Sequence, residues 1–126
     1  MTFLADCRAR LAFDLVANTW TAVVVWALRD GPTRPVDLRR RIGGIKPKVL
    51  NETLRKLEYN GLVVRQYHRE APPRVDYALT ELGRSLLGPI GAFGEWAHDH
   101  GDEVLAAQDA VPEPAATEPV GGRAGV

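Results

Sequence analysis

Residues 46–79 read KPKVLNETLRKLEYNGLVVRQYHREAPPRVDYAL, and two periodicities meet inside them. Leu50, Leu54 and Leu57 recur at i, i+4 and i+7, the spacing of one helix face. Pro47 suits the first helical position, where a missing N–H costs nothing, and Asn60-Gly61 supplies a C-terminal stop. A helix over 47–60 is therefore expected. After Gly61 the pattern changes. Leu62–Tyr67 and Val75–Leu79 are short runs rich in β-branched and aromatic residues. They flank Arg69-Glu70-Ala71-Pro72-Pro73-Arg74, which reads as the tip of a long-looped hairpin.

Working outward, Leu4, Cys7, Leu11 and Leu15 define a helix over 4–16. Asn18 or Thr19 caps a second helix, Trp20–Arg29, apolar on nearly every side and so expected at the centre. Asp30-Gly31-Pro32 ends it. Pro35 opens a third helix through Ile42, closed by Gly43-Gly44. Beyond the hairpin, Thr80 caps a last helix with the apolar face Leu82, Leu86, Ile90, Phe93 and Ala97, kinked at Pro89. Its four glycines, at 83, 88, 91 and 94, each weaken it by about 1 kcal/mol relative to alanine, so packing must hold it. From Asp109 the composition turns to Pro, Ala, Glu and Gly, expected as a disordered tail. The division is thus a folded 1–108 and a tail 109–126. Four helices, a hairpin and a helix give an α+β, mostly α fold in the order of a winged helix-turn-helix.

The chain of 126 residues has no net charge, but its charges are segregated. Arg29–Arg74 holds twelve bases against five acids, and Val75–Val126 two bases against nine acids. A basic middle attracts a polyanion while the acidic end avoids it. The longest apolar run, Ala22–Leu28, is far short of a membrane span. With charges in the first ten residues and no apolar leader, a cytoplasmic protein is expected.

Few residues offer catalysis. Ser85 is the only serine and Cys7 the only cysteine, and neither has a neighbouring nucleophile motif. His98 and His100, two apart, fall on different helix faces without a second ligand pair. No enzyme, metal site or cofactor is expected.

The bases instead suit a duplex. If Leu50, Leu54 and Leu57 face the core, Lys46, Lys48, Asn51, Glu52 and Arg55 are left on the outer face of the 47–60 helix. Such a helix enters a major groove. There Asn matches adenine, Arg or Lys matches guanine or phosphate, and Glu accepts from cytosine. Glu52 has a plainer role in pairing with Lys48 or Lys56. Arg39, Arg40 and Arg41 on the preceding helix stand where phosphates flank the groove. Arg69 and Arg74, in a wing over 67–76, are placed to reach a minor groove. The competing class is a winged helix used only for protein contacts, which would show no salt-dependent binding to DNA.

These residues resemble the HxlR-type regulators, a branch of the winged-helix proteins related to the MarR type. The match is carried by Cys7, Trp20, Leu28, Gly31-Pro32-Thr33-Arg34, Asp37-Leu38, the run Ile45–Leu50, the run Leu54–Arg65 and, most specifically, Pro72–Gly83. The resemblance implies a homodimer on a near-palindromic double-stranded operator, with the first and last helices as dimerisation helices. It adds Arg34 and Pro47 to the DNA-binding set and implies a transcriptional regulator, expected to repress. Where the family usually has a capping Ser before the recognition helix, this chain has Lys46. It also has Pro35 in place of a Phe.

Some family members sense oxidants or electrophiles through a cysteine near the N-terminus, the position of Cys7. A single thiol per chain leaves an intersubunit disulfide, a mixed adduct or a sulfenic acid, and Arg8 and Arg10 favour the thiolate. The plainer reading of Cys7 is a small buried hydrophobe. A small-molecule effector is the competing signal, in an apolar cleft lined by Trp20, Trp26, Phe93 and Trp96. The plainer reading of those aromatics, at helical spacing, is core.

Overall fold

The computed structural model describes residues 8–111. Its elements are α1 (Arg8–Ala17), α2 (Thr19–Ala27), α3 (Pro35–Ile42), α4 (Pro47–Tyr59), β1 (Val63–His68), β2 (Arg74–Leu79), α5 (Glu81–Arg84) and α6 (Leu87–Ala110). Mostly helical with one small antiparallel sheet, this is the expected winged helix-turn-helix order. Two compact units divide after Gly91. Leu4 and Cys7, and residues 112–126 of the expected tail, lie outside the described residues.

In the first unit α2 is central. The Asn18 side chain accepts from Trp20 N–H at 2.9 Å and starts the helix, and Val24, Val25 and Leu28 are sealed from solvent. Around them close Leu38 of α3, Ile45, the α4 residues Leu50, Leu54 and Leu57, then Leu62, Val63, Leu79 and Ile90. Each such side chain contributes about 1.5–3 kcal/mol by leaving water. The turn between α3 and α4 needs two successive left-handed residues, and Gly43 (φ 74°) and Gly44 (φ 75°) supply them.

The hairpin pairs in register from Val63 opposite Leu79 to His68 opposite Arg74. Thr33 adds a bridge on the other side of β2. Its N–H and C=O exchange bonds with Tyr77, both at 2.9 Å. That one-residue strand ties the α2–α3 loop to the wing. It carries no periodicity, and the sequence pattern does not disclose it.

The last helix departs from expectation. Thr80 does cap, accepting from Gly83 N–H at 3.0 Å, but the helix it starts is the single turn α5. The same hydroxyl donates to Gly61 C=O at 2.7 Å, fastening α5 beneath the start of the hairpin. Gly83 fits there because a Cβ would meet the Leu62 carbonyl oxygen. The chain breaks at Ser85-Leu86, and Pro89 falls in the first turn of α6 rather than kinking a longer helix, since its absent N–H is harmless there. Leu82 is consequently exposed and not part of a buried face. α6 also continues through Asp109 to Ala110, two residues into the stretch expected as tail.

In the second unit α6 shows water a series of large apolar groups. Phe93 is 61% exposed and Trp96 56%, with Val104 and Leu105 also open. Trp96 packs on His100 with ring centroids 5.4 Å apart. Among the described residues no helix is long and apolar enough to cross a membrane.

Candidate nucleic-acid interface

α4 has the binary character that the leucine spacing predicts. Leu50, Thr53, Leu54 and Leu57 are buried, and Lys46, Pro47, Lys48, Asn51, Glu52, Arg55, Lys56 and Tyr59 face solvent. Lys46 is the N-cap with extended backbone and no side-chain cap bond. Its carbonyl still accepts from Leu50 N–H at 2.9 Å, and its ammonium is left in water. Thr53 folds its hydroxyl back onto Val49 C=O at 2.8 Å and so takes no part in the outer face.

The exposed polar side chains of α4 stay clear of one another. Lys48, Asn51, Glu52 and Arg55 form no hydrogen bond or ion pair among the described residues. Glu52 in particular pairs with neither Lys48 nor Lys56, contrary to the helix-pair reading. The result is a stripe of donors and acceptors, from the Lys48, Asn51, Glu52 and Arg55 side chains, whose hydrogen-bonding capacity no side chain among the described residues takes up.

The flanking arginines divide into two kinds. Arg39 is exposed and without an ion partner among the described residues. Asp37 in the first turn of α3 holds both Arg34 Nε and Arg40 Nη1 at 3.2 Å. Arg41 is engaged within the fold. Its Nη1 donates to Ala27 C=O at 2.7 Å, closing the C-terminal end of α2 where carbonyls lack intrahelical partners.

In the wing, Arg69 projects from the loop without an ion partner among the described residues. Arg74 is different from expectation. It is the first residue of β2, opposite His68, and its guanidinium turns back to Glu70 (3.6 Å) and Asp76 (3.5 Å). A groove of about 400 Å³ lies between this part of the wing and the start of α3, lined by Arg34, Pro35, Val36, Pro73 and Arg74 among others.

Sequence reasoning missed two kinds of residue. Tyr59 is 89% exposed and continues the Lys48–Glu52–Arg55 stripe by one more turn. The helix spacing alone would have found it. Arg65 and Tyr67 stand exposed on β1, and a strand with little core to cover gives no alternation to read.

The four aromatics of the expected effector cleft are distributed over both units. Trp20 packs on the core of the first unit. Trp26 lies in the same unit beneath Arg29, whose guanidinium carbon is 4.9 Å from the ring centroid, while Phe93 and Trp96 belong to the second. Among the described residues no group of three His, Cys, Asp or Glu is placed to hold a metal.

The family described as HxlR-like helix-turn-helix matches residues 15–104, which span α2 to most of α6. The chain belongs to the HxlR-like helix-turn-helix family. It is 36% identical over 107 residues to the HTH-type transcriptional regulator YtfH of Escherichia coli K12, covering 85% of each chain. Among solved structures, the transcriptional regulator ytfH of Salmonella typhimurium superimposes with a TM-score of 0.72 at 34% identity, over 86% of this chain and 97% of that one. The redox regulator HypR in its oxidised form matches with a TM-score of 0.69 at 31% identity, over 74% and 96%. The reduced form of YodB from B. subtilis gives 0.67 at 34% identity, over 75% and 92%. The protein is therefore a transcriptional regulator with a helix-turn-helix DNA-binding fold, and the family's members act as regulators, not enzymes.

Proposed function

We propose that this HxlR-like regulator is a dimeric repressor that reads a near-palindromic operator with α4 in the major groove and the wing beside the minor groove. The observation that carries the reading is the α4 face itself. Lys48, Asn51, Glu52 and Arg55 are held by a helix whose other side is the core, and their side-chain polar groups are not engaged among the described residues. Asn51 and Arg55 carry the base contacts, for adenine and guanine. Lys46, Lys48 and Arg39 carry phosphate, and Pro47 sets the entry of the helix. Arg34 and Arg40, tethered to Asp37, lie at the rim of the site, and Arg69 and Arg74 belong to the wing. Two recognition helices related by a two-fold would sit about 34–36 Å apart, one turn of DNA.

The exposed apolar groups of α1 and α6 support the dimer, since large uncovered apolar patches on small proteins mark contact surfaces. Leu11 of α1 and Phe93, Trp96 and Leu105 of α6 are its candidates. Sedimentation of the wild type at twice the monomer mass, and of Leu105→Glu at the monomer mass, is the expected outcome. A wild-type monomer at micromolar concentration contradicts the dimer.

Likeness to HypR and YodB favours Cys7 as the sensing thiol. One cysteine per chain makes the switch an intersubunit disulfide, formed when two thiols give up two protons and two electrons to an oxidant, or else an adduct at a single sulfur. DNA lying upstream of the protein's own reading frame tests this. Reduced wild type and Cys7→Ser should both bind it, and diamide should release only the wild type. Equal behaviour of the two proteins under diamide excludes Cys7 as the sensor.

A further inference from the structure

The wing contains a small ionic cluster that the DNA-binding face does not use. Asp76 is only 8% exposed, in the interior of β2 two ladder steps from the His68–Arg74 pair and so on the same face of the hairpin. One carboxylate oxygen is 3.0 Å from His68 Nε2, the other 3.5 Å from Arg74 Nε. Arg74 Nη2 is in turn 3.6 Å from Glu70 in the loop. A carboxylate this buried is tolerated only with partners. Here the partners come from both strands and, through Arg74, from the loop.

We propose that Asp76 is the positioning residue of the wing. It draws Arg74 back and fastens His68, so that Arg74 acts on DNA only through the shape of the hairpin, and Arg69 is the wing cation that meets phosphate. The inference rests on the DNA-binding reading above. Arg74 faces two carboxylates and is half-buried, so its charge is matched before any duplex arrives. Arg69 has no such partner among the described residues. A phosphate contact releases counterions and is read in the salt slope, whereas a positioning residue changes affinity without changing that slope.

The experiment is a salt series of anisotropy titrations on one duplex from upstream of the reading frame. It compares wild type, Arg69→Gln, Arg74→Gln, Asp76→Asn and the double variant Arg74→Gln/Asp76→Asn. Arg69→Gln should flatten the log–log slope by about one unit. Arg74→Gln and Asp76→Asn should each weaken binding severalfold with the wild-type slope, and the double variant should be no weaker than the worse single one. A slope loss of about one unit in Arg74→Gln, or wild-type affinity in Asp76→Asn, overturns the proposal. If Asp76→Asn does not fold, the slope of Arg74→Gln decides alone. A wild type that binds no duplex overturns the DNA-binding reading and this inference with it, and is told apart by failing before any substitution.

Discussion

Arg55 stands at mid-helix on the outer face of α4, one turn beyond Asn51, with its guanidinium unpaired among the described residues. Replacing it with Ala should cost about 1–3 kcal/mol on the cognate duplex and little on a scrambled one. Competition anisotropy with both duplexes checks this. Lys46 carries two opposed roles. Lys46→Ser supplies the missing side-chain cap and should raise folding stability by about 0.5–1 kcal/mol in urea melts, yet weaken DNA binding by removing a cation. Gly83 admits no side chain, because a Cβ would press on the Leu62 carbonyl. Gly83→Ala should therefore destabilise by about 1–3 kcal/mol through forced backbone movement, seen as a lower Tm. At this scale the sequence discloses residue types well and partners poorly. Arg41 and Arg74 read as free bases, but their acceptors are settled by tertiary contact. Ala27 lies fourteen residues from Arg41, and no spacing rule reaches that far. Cys7 falls outside the described residues, so its reading stands on sequence and kinship.

The elements were legible where local chemistry marks their ends. Pro35, Pro47, Asn18, Gly43-Gly44 and Asn60-Gly61 each fall where the helices begin or stop. Within α4 the leucine spacing separates core from surface, and Leu54→Ala should cost about 2–5 kcal/mol as a cavity in the sealed core, measurable by denaturant midpoint. What was not legible is made by contacts between elements. The Thr33–Tyr77 bridge depends on a loop meeting β2, and the break between α5 and α6 on Thr80 being held by Gly61. The apolar face drawn through Leu82 to Ala97 assumed one continuous helix. With the break at Ser85, Ile90 enters the core while Leu82 and Phe93 do not.

For the whole molecule, segregated charge and the helix–hairpin order suffice to point at DNA, because a neutral chain with twelve bases between Arg29 and Arg74 cannot present a uniform surface. The proposed α4 face is supported by the separation, among the described residues, of bases engaged within the fold from those without a partner. The claim that α4 reads sequence is tested most directly by titrating the duplex upstream of the reading frame, and a scrambled duplex, with wild type and Arg55→Ala from about 50 to 200 mM salt. The account predicts wild-type preference for the upstream duplex of roughly a thousandfold or more, a steep fall of affinity with salt on both duplexes, and loss of most of that preference in Arg55→Ala with the salt dependence largely kept. Equal affinity of wild type for the two duplexes, or binding indifferent to salt, would contradict it.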